Sequence, residues 1–231
     1  MSINNLEIKT ASNVQSKLPV FLVLDSSSSM KGNPIKSLNE ALQQFLIEVK
    51  EDPMLSQRLE ISIIEFNSQS RVLVESKLPT EIDAMPLLEA SGSTKLQAGI
   101  TTTLDLVERR KHQLRQQGAT FYRPMVMLIS DGAPDSRDDL PQLAEKIKQE
   151  TNSKKYVFLN FGVGEADMSL LQSLNGYVKG EQLQALKLIN TMKFSDLFKW
   201  LSDSAKGSLS SGTDEVVLSA VNGNWATGFT A

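Results

Sequence analysis

The chain has 231 residues, 40% of them hydrophobic and 22% charged, with 24 basic against 27 acidic side chains and a net charge of −3. That length admits one large domain or two small ones at ~100–200 residues each, the composition is globular rather than disordered, and the charge balance speaks against a basic nucleic-acid-binding stripe. With no cysteine and one histidine, His112, the sequence lacks the parts for disulfides, thiol catalysis, cysteine-held zinc, a Ser-His-Asp triad or a two-histidine metal site.

Leu18 to Leu24 is continuously apolar, as a strand buried on both faces should be. It is too short to span a bilayer, and no basic-then-apolar leader opens the sequence, so no membrane insertion and a cytoplasmic location are expected. After the serine run Ser26 to Ser29, Asn33-Pro34 reads as a helix start. Ile35, Leu38, Leu42, Phe45, Leu46 and Val49 then mark one amphipathic face. Leu59 to Phe66 reads as a second strand, Asn67 to Ser70 as a turn, and Arg71 to Glu75 as a hairpin partner. Residues 76–95 look irregular. Leu96, Ile100, Leu104, Val107 and Leu114 predict a long helix closed by Gly118. Met125 to Ile129 is another buried strand, followed by a helix marked by Leu140, Leu143, Ala144 and Ile147. Tyr156 to Val163 is a further strand, and short helices are expected around 167–174 and 195–204.

This order implies an α/β, doubly wound Rossmann-like fold whose central sheet is mostly parallel. Residues 1–17 read as an N-terminal extension, 18–204 as the domain, and 205–231 as a polar tail with one possible strand at Val216-Val217-Leu218; with three adjacent apolar residues, Val216 to Val221 is expected to be ordered as an added strand or as a strip packed on the body. Trp225 and Phe229 in that tail either fold back on the body or form a docking element. Trp200 reads as core, and Gly162-Val163-Gly164 as a strand-end turn.

Three oxygen-rich segments lie at the ends of buried strands or just before helices. They are Asp25-Ser26-Ser27-Ser28-Ser29, Ser91-Gly92-Ser93-Thr94 and Ser130-Asp131-Gly132. That edge of an open α/β sheet is where ligands bind, at the switch in strand order. Two carboxylates and several hydroxyls, without nitrogen or sulfur, suit a hard divalent cation such as Mg²⁺, Mn²⁺ or Ca²⁺. If the loop is curled, Asp25, Ser27 and Ser29 converge while Ser26 and Ser28 point elsewhere.

The set D-x-S-x-S, a downstream G-x-T and a strand ending in S-D-G resembles the metal-ion-dependent adhesion site of von Willebrand factor A domains. The resemblance implies a Rossmann-like sheet with one antiparallel edge strand, with the first and fourth strands side by side. It assigns Asp25, Ser27, Ser29, Thr94 and Asp131 to the metal, Mg²⁺ first and Mn²⁺ or Ca²⁺ as alternatives. Leu18-Pro19-Val20, Gly32-Asn33-Pro34-Ile35, Phe121-Tyr122-Arg123-Pro124, the run from Ser130 to Asp135, and Phe198 to Ser202 are similar to the TerY-like bacterial branch, linked to tellurite and stress resistance. Ser26 and Ser28 depart from that branch, which often has Thr and Gly there.

The function implied is a non-enzymatic module whose ion takes an Asp or Glu of a protein partner, with a kinase and a phosphatase as possible associates. Two rivals stand beside it. One is a metal-dependent phosphoester hydrolase using Asp25 as nucleophile; the position two residues on, Ser27, is not the acid such chemistry wants. The other is a structural subunit with a vestigial metal site. Asp135, Asp138 and Asp139 read as helix N-terminal charges rather than ligands. Arg109-Arg110-Lys111-His112, with Arg115, reads as a solvated helix end.

Overall fold

A computed structural model describes residues 15–131, 134–137, 139–190, 193–213 and 215–228, and all statements below concern these. Nine strands and six helices alternate along them. The strands are β1 (Leu18–Asp25), β2 (Leu59–Phe66), β3 (Ser70–Lys77), β4 (Met125–Ser130), β5 (Val157–Gly162), β6 (Tyr177–Val178), β7 (Glu181–Gln182), β8 (Leu186–Leu188) and β9 (Ala226–Gly228). The helices are α1 (Asn33–Glu51), α2 (Leu55–Arg58), α3 (Leu96–Gln116), α4 (Leu140–Asn152), α5 (Met168–Ser173) and α6 (Phe194–Ser210).

Seven strands form one sheet in the order β3-β2-β1-β4-β5-β8-β9, and β6 and β7 make a separate hairpin. From β1 the chain first builds outward through β2 to β3, then returns to the other side of β1 to place β4. The strand order therefore reverses between β1 and β4, and the pairing Leu24↔Ile129 sets their C-terminal ends side by side. β3 runs antiparallel at one edge, as expected; β9 adds a second antiparallel strand at the other.

The apolar runs of β1, β2 and β4 are buried throughout because helices cover both faces. Val20, Leu22 and Leu24 face a core built with α1 and α6, where Phe45 stacks on Phe198 at 5.2 Å. Phe21 and Val23 face the second core, built with α3, α4 and α5. The period-two alternation of a strand thus feeds two cores from one sequence run.

One expectation needs correction, and one is decided between its alternatives. The basic run on α3 is not simply solvated. Arg110 holds Glu60 of β2 through two bonds of 2.6 and 2.9 Å, and Arg109 reaches Glu75 of β3 at 3.0 Å. Lys111 is buried and bonded to Glu108 at 2.7 Å. Arg109 and Arg110 thus face carboxylates that the folded sheet brings under the helix, and Lys111 pairs within α3 itself.

The tail takes the second of its two expected forms. Val216 to Leu218 forms no strand; it is a strip laid on α6. Ser208 Oγ accepts from Val217 N at 2.8 Å, Ser204 Oγ accepts from Ser219 N at 3.0 Å, and Trp200 Nε1 donates to Ser219 O at 2.7 Å. One helical turn of four residues advances about 6 Å, and two extended residues advance about 6.6 Å. Two serines four apart on α6 therefore match alternate amides of the strip and replace a neighbouring strand. The tail's strand is β9, after Trp225. Trp225 itself is buried against Trp200, with ring centroids 6.1 Å apart. It folds back on the body, and Phe229 lies outside the described residues.

Candidate metal centre

Asp25 closes β1, Ser130 closes β4, and Asp131 follows at once, so the reversal of strand order gathers all three. Asp25 is fully buried. Its Oδ1 accepts from Ser27 N at 2.8 Å and its Oδ2 from Ser130 Oγ at 2.5 Å. The first of these bonds curls the loop after β1, and residues Ser28–Met30 continue as a single 3-10 turn. The curl brings Ser27 Oγ to 3.0 Å from Ser29 Oγ, and Ser29 Oγ donates to Asp131 Oδ1 at 2.7 Å. Ser27, Ser29 and Asp131 thus present three oxygens in one hydrogen-bonded row at the sheet's edge, with Asp25 directly beneath.

The intervening serines turn away. Ser26 Oγ donates to Glu65 Oε1 at 2.7 Å and accepts from Asn67 Nδ2 at 3.1 Å, both on the β2 side. Ser28 reaches the second segment, its N and Oγ both donating to Gly92 O at 3.0 and 2.7 Å. Gly92 is required there: its φ is +73°, and a Cβ would stand 2.3 Å from Ser68 Oγ. This contact, with Ser91 N donating to Ser26 O, ties the Ser91–Thr94 loop to the Asp25 loop.

Thr94 is buried beside them, but among the described residues no hydrogen bond joins its side chain to the other four site residues. Its backbone is held instead. Asp135 Oδ1 accepts from Thr94 N at 2.9 Å, and Asp135 N donates to Thr94 O at 3.1 Å. Asp135 is therefore a staple between the second and third segments rather than a helix N-terminal charge, since α4 begins only at Leu140. The Ser93 hydroxyl and Thr94 N hold its carboxyl below the usual carboxylate range. Asp139 does flank the start of α4 and accepts from Gln97 Nε2 at 3.0 Å. Asp138 lies outside the described residues.

Burial pushes the Asp25 carboxyl up to about 6, with the nearby Asp131 charge adding to the rise and the Ser130 and Ser27 bonds opposing it. Burial raises Asp131 as well, against the Ser29 hydrogen bond. Two acids that resist ionisation together, at an edge lined by hydroxyls, describe a place that a positive charge would relieve. The donor chemistry fits a hard divalent cation: every convergent atom is oxygen, and Ser29 Oγ already lies within hydrogen-bond reach of both Ser27 Oγ and Asp131 Oδ1. No group of three or more His, Cys, Asp or Glu occurs among the described residues, so such an ion depends on the serine hydroxyls.

Residues 20–194 match the family described as the von Willebrand factor type A domain. The chain belongs to that family. Among solved structures, the domain of the type V pili tip protein Mfa5 from Porphyromonas gingivalis has 12% identity. It covers 87% of this chain and 98% of its own, with a TM-score of 0.59. A von Willebrand factor type A protein from Catenulispora acidiphila has 13% identity over 83% of this chain and 43% of its own, at a TM-score of 0.60. Proximal thread matrix protein 1 from the mussel byssus, with a zinc-occupied MIDAS motif, has 15% identity over 80% and 47%, at 0.56. This chain thus spans less than half the length of the last two. No curated protein shows significant similarity to the sequence. At these identities the likeness establishes a von Willebrand factor A fold. No helix among the described residues is long and apolar enough to cross a membrane.

Proposed function

We propose that this von Willebrand factor A domain is a non-enzymatic, metal-dependent protein-binding module. The observation that carries the reading is the row Ser27 Oγ, Ser29 Oγ and Asp131 Oδ1 over the buried Asp25 carboxylate. Ser27, Ser29, Thr94 and Asp131 would hold a divalent cation, Mg²⁺ by preference, with Asp25 anchoring the loop and offsetting its charge. When bound, the ion would supply an electron-poor position open to an exogenous carboxylate. The partner therefore offers an Asp or Glu. Charge pairing in a partly desolvated cleft would give much of the affinity.

The position of Asp25 supports binding over hydrolysis. A nucleophilic carboxylate needs an oxygen free to approach a phosphorus atom, whereas both Asp25 oxygens are engaged and the residue is fully buried. The presence of the hydroxyl and carboxylate donors favours a working site over a vestigial one. The finer setting, a TerY-like role in bacterial tellurite or stress resistance in the cytoplasm beside a kinase and a phosphatase, rests on the sequence motifs from Leu18 to Ser202.

The test is capture of partners from a native lysate with Mg²⁺ or with EDTA, using wild type and Asp25→Ala. The reading expects an interaction lost under EDTA and in the variant, and lost again when one acidic residue of the partner becomes its amide. A verified interaction indifferent to both EDTA and Asp25→Ala would sink it, and recognition would then lie on another face.

A further inference from the structure

The opposite end of the sheet carries a second concentration of charge. Arg123 lies just before β4, at the end of that strand remote from Ser130 and Asp131. It is buried, at 8% exposure, yet its Nε has no hydrogen-bond partner, and among the described residues no carboxylate pairs with its guanidinium. A guanidinium cannot shed its proton to escape burial. Its outer nitrogens open into the cavities beside it while Nε is sealed off without a partner, so the cation sits largely out of water with no counter-charge among the described residues, which is costly.

Two adjoining cavities share Arg123 and Lys154. One, of about 240 Å³, is lined by Lys111, Arg115, Arg123, Lys154 and Lys155 and by no acid. Lys111 and Lys155 are already matched by Glu108 and Glu150 at 2.7 and 3.0 Å, and Arg115 lies over the Phe121 ring at 5.5 Å. Arg123 and Lys154 have no acidic partner among the described residues. Lys154 also holds φ +58°, an uncommon conformation for a side chain of its kind, in the turn that closes α4. The other cavity, of about 300 Å³, is walled by Val157, Val178, Leu183, Val216 and Leu218. Its one acid, Glu215, faces Lys179 at 3.6 Å.

We infer that this end of the sheet binds a small organic phosphate, its phosphoryl oxygens accepting from Arg123 and Lys154 and its organic group entering the apolar chamber. A guanidinium fork beside an ammonium suits a multiply charged tetrahedral anion. The apolar chamber gives the esterified group a place that inorganic phosphate would leave empty. The site uses none of the residues at the metal centre and does not depend on it.

Calorimetric titration and thermal melts of the full chain in EDTA, with phenyl phosphate, inorganic phosphate and phenol as probes, test this. Phenyl phosphate should bind and raise the melting temperature, inorganic phosphate should bind more weakly, and phenol should do neither. Arg123→Gln should weaken phenyl phosphate at least about tenfold, the loss expected for a charge-assisted bond. Its melting temperature without ligand should equal or exceed that of wild type, because the substitution removes an unmatched buried charge. Lys154→Gln, at an exposed turn, should weaken binding without altering the fold. Absence of phenyl phosphate binding by wild type, or undiminished binding by both variants, overturns the site. Equal affinity for inorganic and phenyl phosphate overturns the role of the chamber. A lowered melting temperature for Arg123→Gln overturns the argument from unmatched charge.

Discussion

Replacing Asp25 by Asn should strengthen the ion-free fold while abolishing metal binding. Asp25 is fully buried, and its carboxyl is raised from 3.8 to about 6 chiefly by loss of water. The fold therefore prefers the protonated acid, and ionising it costs about 3 kcal/mol at 1.36 kcal/mol per pH unit of displacement. The sign follows from the direction of the shift. Below the ordinary value of 3.8 the acid is neutral in folded and unfolded chains alike and there is no penalty; the penalty grows as pH rises and is complete above about 6. Asn at this position keeps an oxygen for Ser27 N and can donate to Ser130 Oγ if that hydroxyl rotates. Urea denaturation in EDTA should show Asp25→Asn more stable than wild type at neutral pH, by up to about 3 kcal/mol, with the advantage vanishing near pH 4. Saturating Mg²⁺ should reverse the order, because an ion bound only to the native state adds RT ln(1 + [L]/Kd) to wild type alone. An Asp25→Asn protein less stable than wild type in EDTA at neutral pH, or a difference unmoved by pH, would refute the reasoning.

Ser26→Ala removes the donor to the buried Glu65 carboxylate, so the urea midpoint should fall by the equivalent of ~1–3 kcal/mol; metal affinity should hold, and a loss as large as that of Ser27→Ala would count against the two opposite orientations. Gly92→Ala must fit a Cβ at φ +73° against Ser68; it should cost ~1–3 kcal/mol of stability and, by loosening the grip on Ser28, weaken Mg²⁺ binding in calorimetry. Glu60→Gln leaves the largely buried Arg110 without its charge partner, and chemical denaturation should register about 3 kcal/mol, while an unchanged midpoint would show the pair to be inert.

The main strands could be read from sequence because burial on both faces writes itself as an unbroken apolar run. Leu59–Phe66 occupies the span its isoleucines suggested, and β1 and β4 each extend one polar residue beyond the apolar stretch, at Asp25 and Ser130. The three oxygen-rich segments were visible for a related reason: hydroxyls and carboxylates stand out where hydrophobic strands stop. What each neighbour of those segments does was hidden. Ser26 finds Glu65 across 39 positions, and Asp135 finds Thr94 across 41; only the strand order brings them together. Arg110 likewise looked solvated because Glu60 is distant in sequence. β6, β7 and β8 have two or three residues each, too few for an alternation to register. That the segment from Val216 is ordered was legible in its three adjacent apolar residues; its choice of strip over strand was not, because serines on a helix supply its hydrogen bonds.

The tail also changes where the unit of folding ends. The family match stops at residue 194, within the first turn of α6. β9 covers the outer edge of β8, and Trp225 closes over Trp200. Cutting the chain after α6 would bare a line of unpaired amides and carbonyls together with an indole face, the combination that invites strands of neighbouring molecules to add on. A fragment trimmed to the recognisable family segment should therefore form soluble aggregates that the full chain does not. Expression boundaries for this protein belong beyond Gly228, on the far side of the strand that seals the sheet.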